Sequence, residues 1–175
     1  MKVVLVVMIS LICEIRPVLS NNDDTNVELC NTPTEVCRAV HFYAAHPSSV
    51  SGSLNPIPFS DVTLNEGFAF SGSSGIFTAP VNGIYQFFFS VQSSRNNLNG
   101  AWWLQVNGVA KVLCHSQVSA GSTVGSMCTY MTELAQNDKV TVKQDSGNAW
   151  ATATTNTITF SGSLLMQKCG ASCKQ

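Results

Sequence analysis

Three polar loops carry the side chains best suited to chemistry with a ligand. The first, Ser93-Ser94-Arg95-Asn96-Asn97-Leu98-Asn99-Gly100, leads into Trp102-Trp103. The second runs from Gln117 to Gly125 and is rich in Ser and Thr, and the third is Gln144-Asp145-Ser146-Gly147-Asn148-Ala149-Trp150. Amides and hydroxyls both donate and accept, which matches the hydroxyls of a sugar. A Trp face stacks on the apolar side of a pyranose, and a guanidinium such as Arg95 suits a carboxylate such as that of sialic acid. Arg95, Asn97, Asp145, Asn148 and Trp150 are therefore the candidate ligand-binding residues. Loops of Ser, Asn and Gly are also ordinary surface turns. Trp102 and Trp103 are adjacent, so they point to opposite faces of a strand and one of them belongs in the core.

Catalysis has little to build on. The only imidazoles are His41, His46 and His115, and they are scattered. A nucleophile elbow of the form G-x-S-x-G does not occur. Gly72-Ser73-Ser74-Gly75 resembles one in composition alone and reads as a turn. No paired carboxylates stand near an aromatic platform, as glycoside hydrolysis requires. No C-x2-C spacing is present, so a metal-thiolate site is not expected. The chain reads as a binding protein, not an enzyme.

The elements that hold these loops begin after an N-terminal export signal. Met1-Lys2 precedes a run from Val3 to Ile12 that is almost wholly apolar. A bilayer span needs about 20 such residues, so residues 1–20 are expected to be a cleaved signal peptide, with Val18 and Ser20 as the small residues before the cut. Its removal takes Lys2, Glu14 and Arg16 and moves the net charge from −1 to −2. There is no basic run or stripe, so nucleic acid is not an expected partner. Membrane insertion is not expected either, and the mature chain is read as secreted. Cys13 leaves with the signal. Cys30, Cys37, Cys114, Cys128, Cys169 and Cys173 remain, an even number that suits disulfides outside the cell. Cys114 and Cys128 flank a short Ser/Gly-rich connection and are the expected internal pair.

Residues 21–37 read as a short polar leader, and 169–175 as a cysteine-bearing tail. Between them, residues 38–168 read as short strands separated by Gly, Asn, Ser and Pro, with no amphipathic helix of ten or more residues. In 83–93 the alternation puts Tyr85, Phe87, Phe89 and Val91 on one face and Phe88 on the other. Asn107-Gly108 sits between two strand-like runs and predicts a tight type I′ hairpin. Further strands are expected at 124–134, 139–145 and 157–167. Many short strands of this kind imply a sandwich or barrel.

One spaced pattern narrows that choice. Phe59, Asn65, Phe70, Phe77, Gly83, Tyr85, Phe87 and Phe89 fall at F-x5-N-x4-F-x6-F-x5-G-x-Y-x-F-x-F. Phe160-Ser161-Gly162 followed by Leu164-Leu165 adds a closing strand. This resembles the complement C1q globular-head domain over roughly residues 38–168. The resemblance implies an all-β fold, a ten-stranded jelly-roll sandwich of two antiparallel sheets. It implies a secreted module that assembles as a homotrimer or higher, with Phe88 facing the three-fold axis as a trimer contact or else covered by its own loop. It also places the first and last strands side by side, so Cys30, Cys37, Cys169 and Cys173 pair locally, across the termini, or between subunits. Some members hold calcium near the trimer apex, and Asp145 is the acidic residue placed for that here. A collagen stalk, common in the family, is absent because Gly does not recur at every third residue. The function expected on these grounds is that of a multivalent lectin or pattern-recognition molecule of innate immunity that binds glycans or other microbial surface ligands. The alternatives are a protein-binding ligand or adaptor, and a structural or fluid protein that uses the head for assembly.

Overall fold

The computed structural model describes residues 38–168, apart from 96–98, 118 and 120. The signal peptide, the leader with Cys30 and Cys37, and the tail with Cys169 and Cys173 lie outside the described residues. Twelve strands follow in order: β1 (His41–Ala45), β2 (Val50–Ser51), β3 (Asp61–Glu66), β4 (Phe70–Ser71), β5 (Ile76–Thr78), β6 (Gly83–Gln92), β7 (Asn99–Val106), β8 (Val109–Gln117), β9 (Gly125–Leu134), β10 (Lys139–Ser146), β11 (Asn148–Ala149) and β12 (Thr159–Gln167). Ten of them form two five-stranded antiparallel sheets, ordered β3-β1-β12-β6-β9 and β4-β5-β10-β7-β8. The short pair β2 and β11 is an addition to the ten-stranded expectation.

Alternation decides which side chains enter the space between the sheets. Tyr85, Phe87, Phe89 and Val91 of β6 are buried, as their parity requires. They meet Phe42, Phe59, Phe70, Phe77 and Phe160 in one core. The rings interlock, with Phe42 stacked on Phe70 at 4.4 Å and edge-on to Phe160 at 5.0 Å. Of the two tryptophans, Trp102 is the core residue. The spaced aromatic pattern is thus the core itself. Each such ring removed from water contributes about 2–3 kcal/mol.

Two pattern positions that are not aromatic have separate reasons. Asn65 donates through Nδ2 to the Phe70 carbonyl at 2.8 Å, and its Oδ1 accepts from the Phe70 amide at 3.2 Å. One side chain therefore satisfies both backbone groups of Phe70 and pins the β3–β4 turn. Gly83 is needed because a Cβ there would lie 2.6 Å from Leu164 Cδ1 and from the Met166 carbonyl. Its crowding comes from the neighbouring strand β12. At Gly162 a Cβ would run into the rings of Phe87 and Phe42.

The Asn107-Gly108 hairpin has φ 51° and 77° at its two central residues, the left-handed pair that a type I′ turn demands. A disulfide joins Cys114 to Cys128 with a Cα separation of 5.8 Å. It links β8, the edge of the second sheet, to β9, the edge of the first, and closes one side of the sandwich.

Phe88 points away from the core and is 36% exposed. Register places it beside Ser161 and Thr129, with Tyr43 beyond Ser161 and Leu64 beyond Tyr43. Met127 and Met131 flank that row on β9 and are also exposed. The outer face of the first sheet therefore carries a group of exposed apolar side chains, with Ser161 and Thr129 between them.

Candidate functional site

The polar loops converge at the end of the sandwich where β6 finishes. Ser93, fully buried, is the pivot. Its amide donates to the Val124 carbonyl at 2.9 Å, and its hydroxyl accepts from the Val124 amide at 3.0 Å. The next amide, that of Ser94, donates to the Asn148 carbonyl at 2.9 Å, and the Trp150 amide donates to the Gln92 carbonyl at 2.8 Å. The Gly121 amide reaches the Arg95 carbonyl at 3.2 Å. Residues 92–95 are thus clamped between the β8–β9 loop on one side and β11 on the other.

That clamping gathers Gln92, Ser94, Arg95, Thr123 and Trp150 around a pocket of about 340 Å³. Ligand pockets begin near this size. Trp150 is 37% exposed, and its carbonyl accepts from the Thr157 hydroxyl, which fixes the backbone on its far side. Arg95 is the charged residue in the lining and forms no ion pair among the described residues. The pocket therefore offers a guanidinium, an indole, an amide and two hydroxyls. Among the described residues its lining holds no carboxylate and no imidazole.

A second layer explains why this end holds its shape. Gln144 is fully buried. Its Oε1 accepts from Trp102 Nε1 at 2.8 Å. Its Nε2 donates to the carbonyls of Gly52 at 2.8 Å and Gly147 at 2.9 Å. One amide thus joins β10 to β7, to the loop after β2 and to the bend before β11. Sequence reasoning placed Gln144 near the end of the strand expected at 139–145 and at the start of the third polar loop. The signal that points inward is parity, since Val140, Val142 and Gln144 alternate on one side of β10.

Of the residues expected to bind ligand, the structure brings Arg95 and Trp150 together. Asn148 lies behind them and contributes its carbonyl to the clamp. Asn97 lies outside the described residues. Asp145 is elsewhere: its carboxylate is paired with Lys143 Nζ at 2.6 Å. Among the described residues no group of three acidic, His or Cys side chains stands ready for a metal. A calcium ion wants several oxygens, and one protomer offers at Asp145 a single carboxylate already engaged. Gln92, Ser94 and Thr123 were not singled out from sequence, because each is a common loop or strand-end residue with no spacing to mark it.

Residues 41–165 match the family model of the C1q domain. The chain belongs to the C1q domain family. Among curated proteins no match is found. Solved structures with the same C1q-like fold include the globular domain of zebrafish complement 1qA protein, with TM-score 0.59 and 17% identity over 74% of this chain and 99% of that one. Murine APRIL at pH 5.0 matches with TM-score 0.61 and 14% identity over 73% of this chain and 100% of that one. Eiger TNF from S. frugiperda matches with TM-score 0.57 and 11% identity over 79% of this chain and 98% of that one. At these identities the likeness is one of fold, and it joins C1q and TNF architectures. C1q-domain membership is consistent with a binding module, and no helix among the described residues is long and apolar enough to cross a membrane.

Proposed function

We propose that this C1q-domain protein is a secreted, multivalent recognition molecule of the innate-immune type that binds glycans in the Arg95–Trp150 pocket. The observation that carries the reading is the convergence of Arg95 and Trp150 with three hydroxyl or amide side chains in one pocket. The indole would stack on a sugar ring, Gln92, Ser94 and Thr123 would meet its hydroxyls, and the guanidinium favours a carboxylate-bearing residue such as sialic acid. Binding at one such open pocket is weak. Three copies held together raise avidity without new contacts.

Assembly would use the outer face of the first sheet, with Phe88 at its centre and Tyr43, Leu64 and Met131 around it. The support is the group of exposed apolar side chains on that face, Tyr43, Leu64, Phe88, Met127 and Met131. The same face also favours a second reading, in which it docks a different protein and the chain acts as a ligand or adaptor. Sedimentation of the oxidised mature chain separates the two, since self-assembly leaves no free apolar face.

A glycan array probed with residues 21–175 and with Arg95→Ala and Trp150→Ala tests the reading. Saturable binding to acidic glycans that both variants lose supports it. Binding that survives both, or a blank array from a folded trimer, sinks it.

A further inference from the structure

Phe68 is 92% exposed, and its backbone lies at φ 52°. The left-handed region is a strained exception for a bulky side chain, and such strain persists only where the surroundings over-determine it. Here they do. Asn65 pins the far side of the turn through both backbone groups of Phe70. Gly67, at φ 79°, packs so tightly that a Cβ would lie 2.8 Å from the Ala39 carbonyl. The turn thus holds an aromatic ring in water that core packing does not use.

Beside the ring lies an open cavity of about 300 Å³, lined by Phe68, Ser71, Thr78, Pro80 and Asn137 among others, with no charged residue among the described ones. It lies at the start of β6, just before Gly83, whereas the Arg95 pocket lies at the end of β6. The two sit at opposite ends of the sandwich.

We propose that this cavity is a second ligand site and that it takes an uncharged pyranose stacked on Phe68. An exposed aromatic ring supplies the apolar platform. Two hydroxyls and an amide beside it both donate and accept, as sugar hydroxyls require. The lack of charge in the lining selects against acidic sugars and against charged peptides. A protein partner would bury about 800 Å² on each side, whereas Phe68 is the one exposed large apolar side chain lining this cavity. With both ends occupied, a single protomer would bridge an acidic glycan and a neutral one.

The test is saturation-transfer NMR on the full mature chain with mannohexaose, maltohexaose and galactohexaose as probes. The comparison is among the unmodified protein, Phe68→Gly, and the double variant Arg95→Ala/Trp150→Ala. The expected result is that at least one hexasaccharide binds, that this binding survives the double variant, and that Phe68→Gly weakens it by about tenfold or more. Phe68→Gly should leave the melting temperature unchanged or higher, because glycine adopts the left-handed backbone without strain. The proposal is overturned if no hexasaccharide binds, if Phe68→Gly leaves binding intact, or if the double variant removes it. A lower melting temperature in Phe68→Gly would make the ring a fold residue, and a changed sedimentation rate would make it a contact between copies; either also overturns it. Binding of acidic glycans at the Arg95 pocket is read separately, so the two sites fail independently.

Discussion

The two ends of the sandwich are built on opposite plans. At the Arg95 end a guanidinium and an indole line a pocket whose walls are held by buried polar groups, Ser93 and Gln144. At the Phe68 end the cavity is uncharged, and one Asn–backbone clamp carries a strained aromatic turn. Shape at the first end depends on a network of side-chain hydrogen bonds and a nearby cystine. Shape at the second depends on one turn and the aromatic core beneath it. Perturbations that spare the core should therefore separate the two ends.

The largest effect is expected from Gln144→Leu. It leaves the Trp102 indole N–H and the carbonyls of Gly52 and Gly147 without their partner. A buried unsatisfied polar group costs about 1–3 kcal/mol each, so thermal unfolding should show a loss of about 3–5 kcal/mol. Hydrogen exchange should rise first at Ser94, Val124 and Trp150, with the Phe70 amide little changed. Uniform acceleration at both ends would break the comparison.

Removing the cystine by Cys114→Ser/Cys128→Ser comes next. The bridge spans a sequence separation of 14, for which loop entropy gives about 3 kcal/mol. The loop it closes carries Thr123, so acidic-glycan affinity should fall with stability while any binding at the Phe68 end persists. Asn65→Ala should cost about 2 kcal/mol, since two hydrogen bonds to Phe70 are lost at about 1 kcal/mol each. Its exchange signature should be the mirror image, fast at Phe70 and protected at Val124.

The smallest effect concerns pH. Burial raises the Tyr85 phenol above its ordinary value, and only the neutral phenol can donate its hydrogen bond to the Val81 carbonyl. The folded state thus holds the proton more tightly than the unfolded chain. That stability is fully present below pH ~10 and is lost as pH rises through the folded value. Melting temperature should fall above pH ~10 with early exchange near Val81, and Tyr85→Phe should flatten that fall.

Much of this architecture was legible in the residues. Alternation in β6 and the spaced aromatics placed the core, because a buried strand face and a ring-filled interior impose a period that loops cannot mimic. Arg95 and Trp150 were singled out as a cation and an indole in polar loops, and the structure places both in the lining of one pocket. Gln144 was not, since its partners come from segments far apart in sequence. Asp145 was read as a ligand group, and the structure shows its carboxylate paired with Lys143, two residues away on the same strand face. Phe68 was passed over because an apolar residue between Asn65 and Phe70 reads as filler, and only the turn's left-handed backbone sends it outward.

The measurement that tests the central claim most directly is a titration of the ¹⁵N-labelled mature chain with 3′-sialyllactose, following the indole N–H resonances. The account predicts a saturable shift of the Trp150 indole and of the Ser94 and Thr123 amides, with Trp102 in the core little moved and the whole response lost in Arg95→Ala. Shifts confined to other surfaces, or a Trp150 response that Arg95→Ala leaves intact, would contradict it.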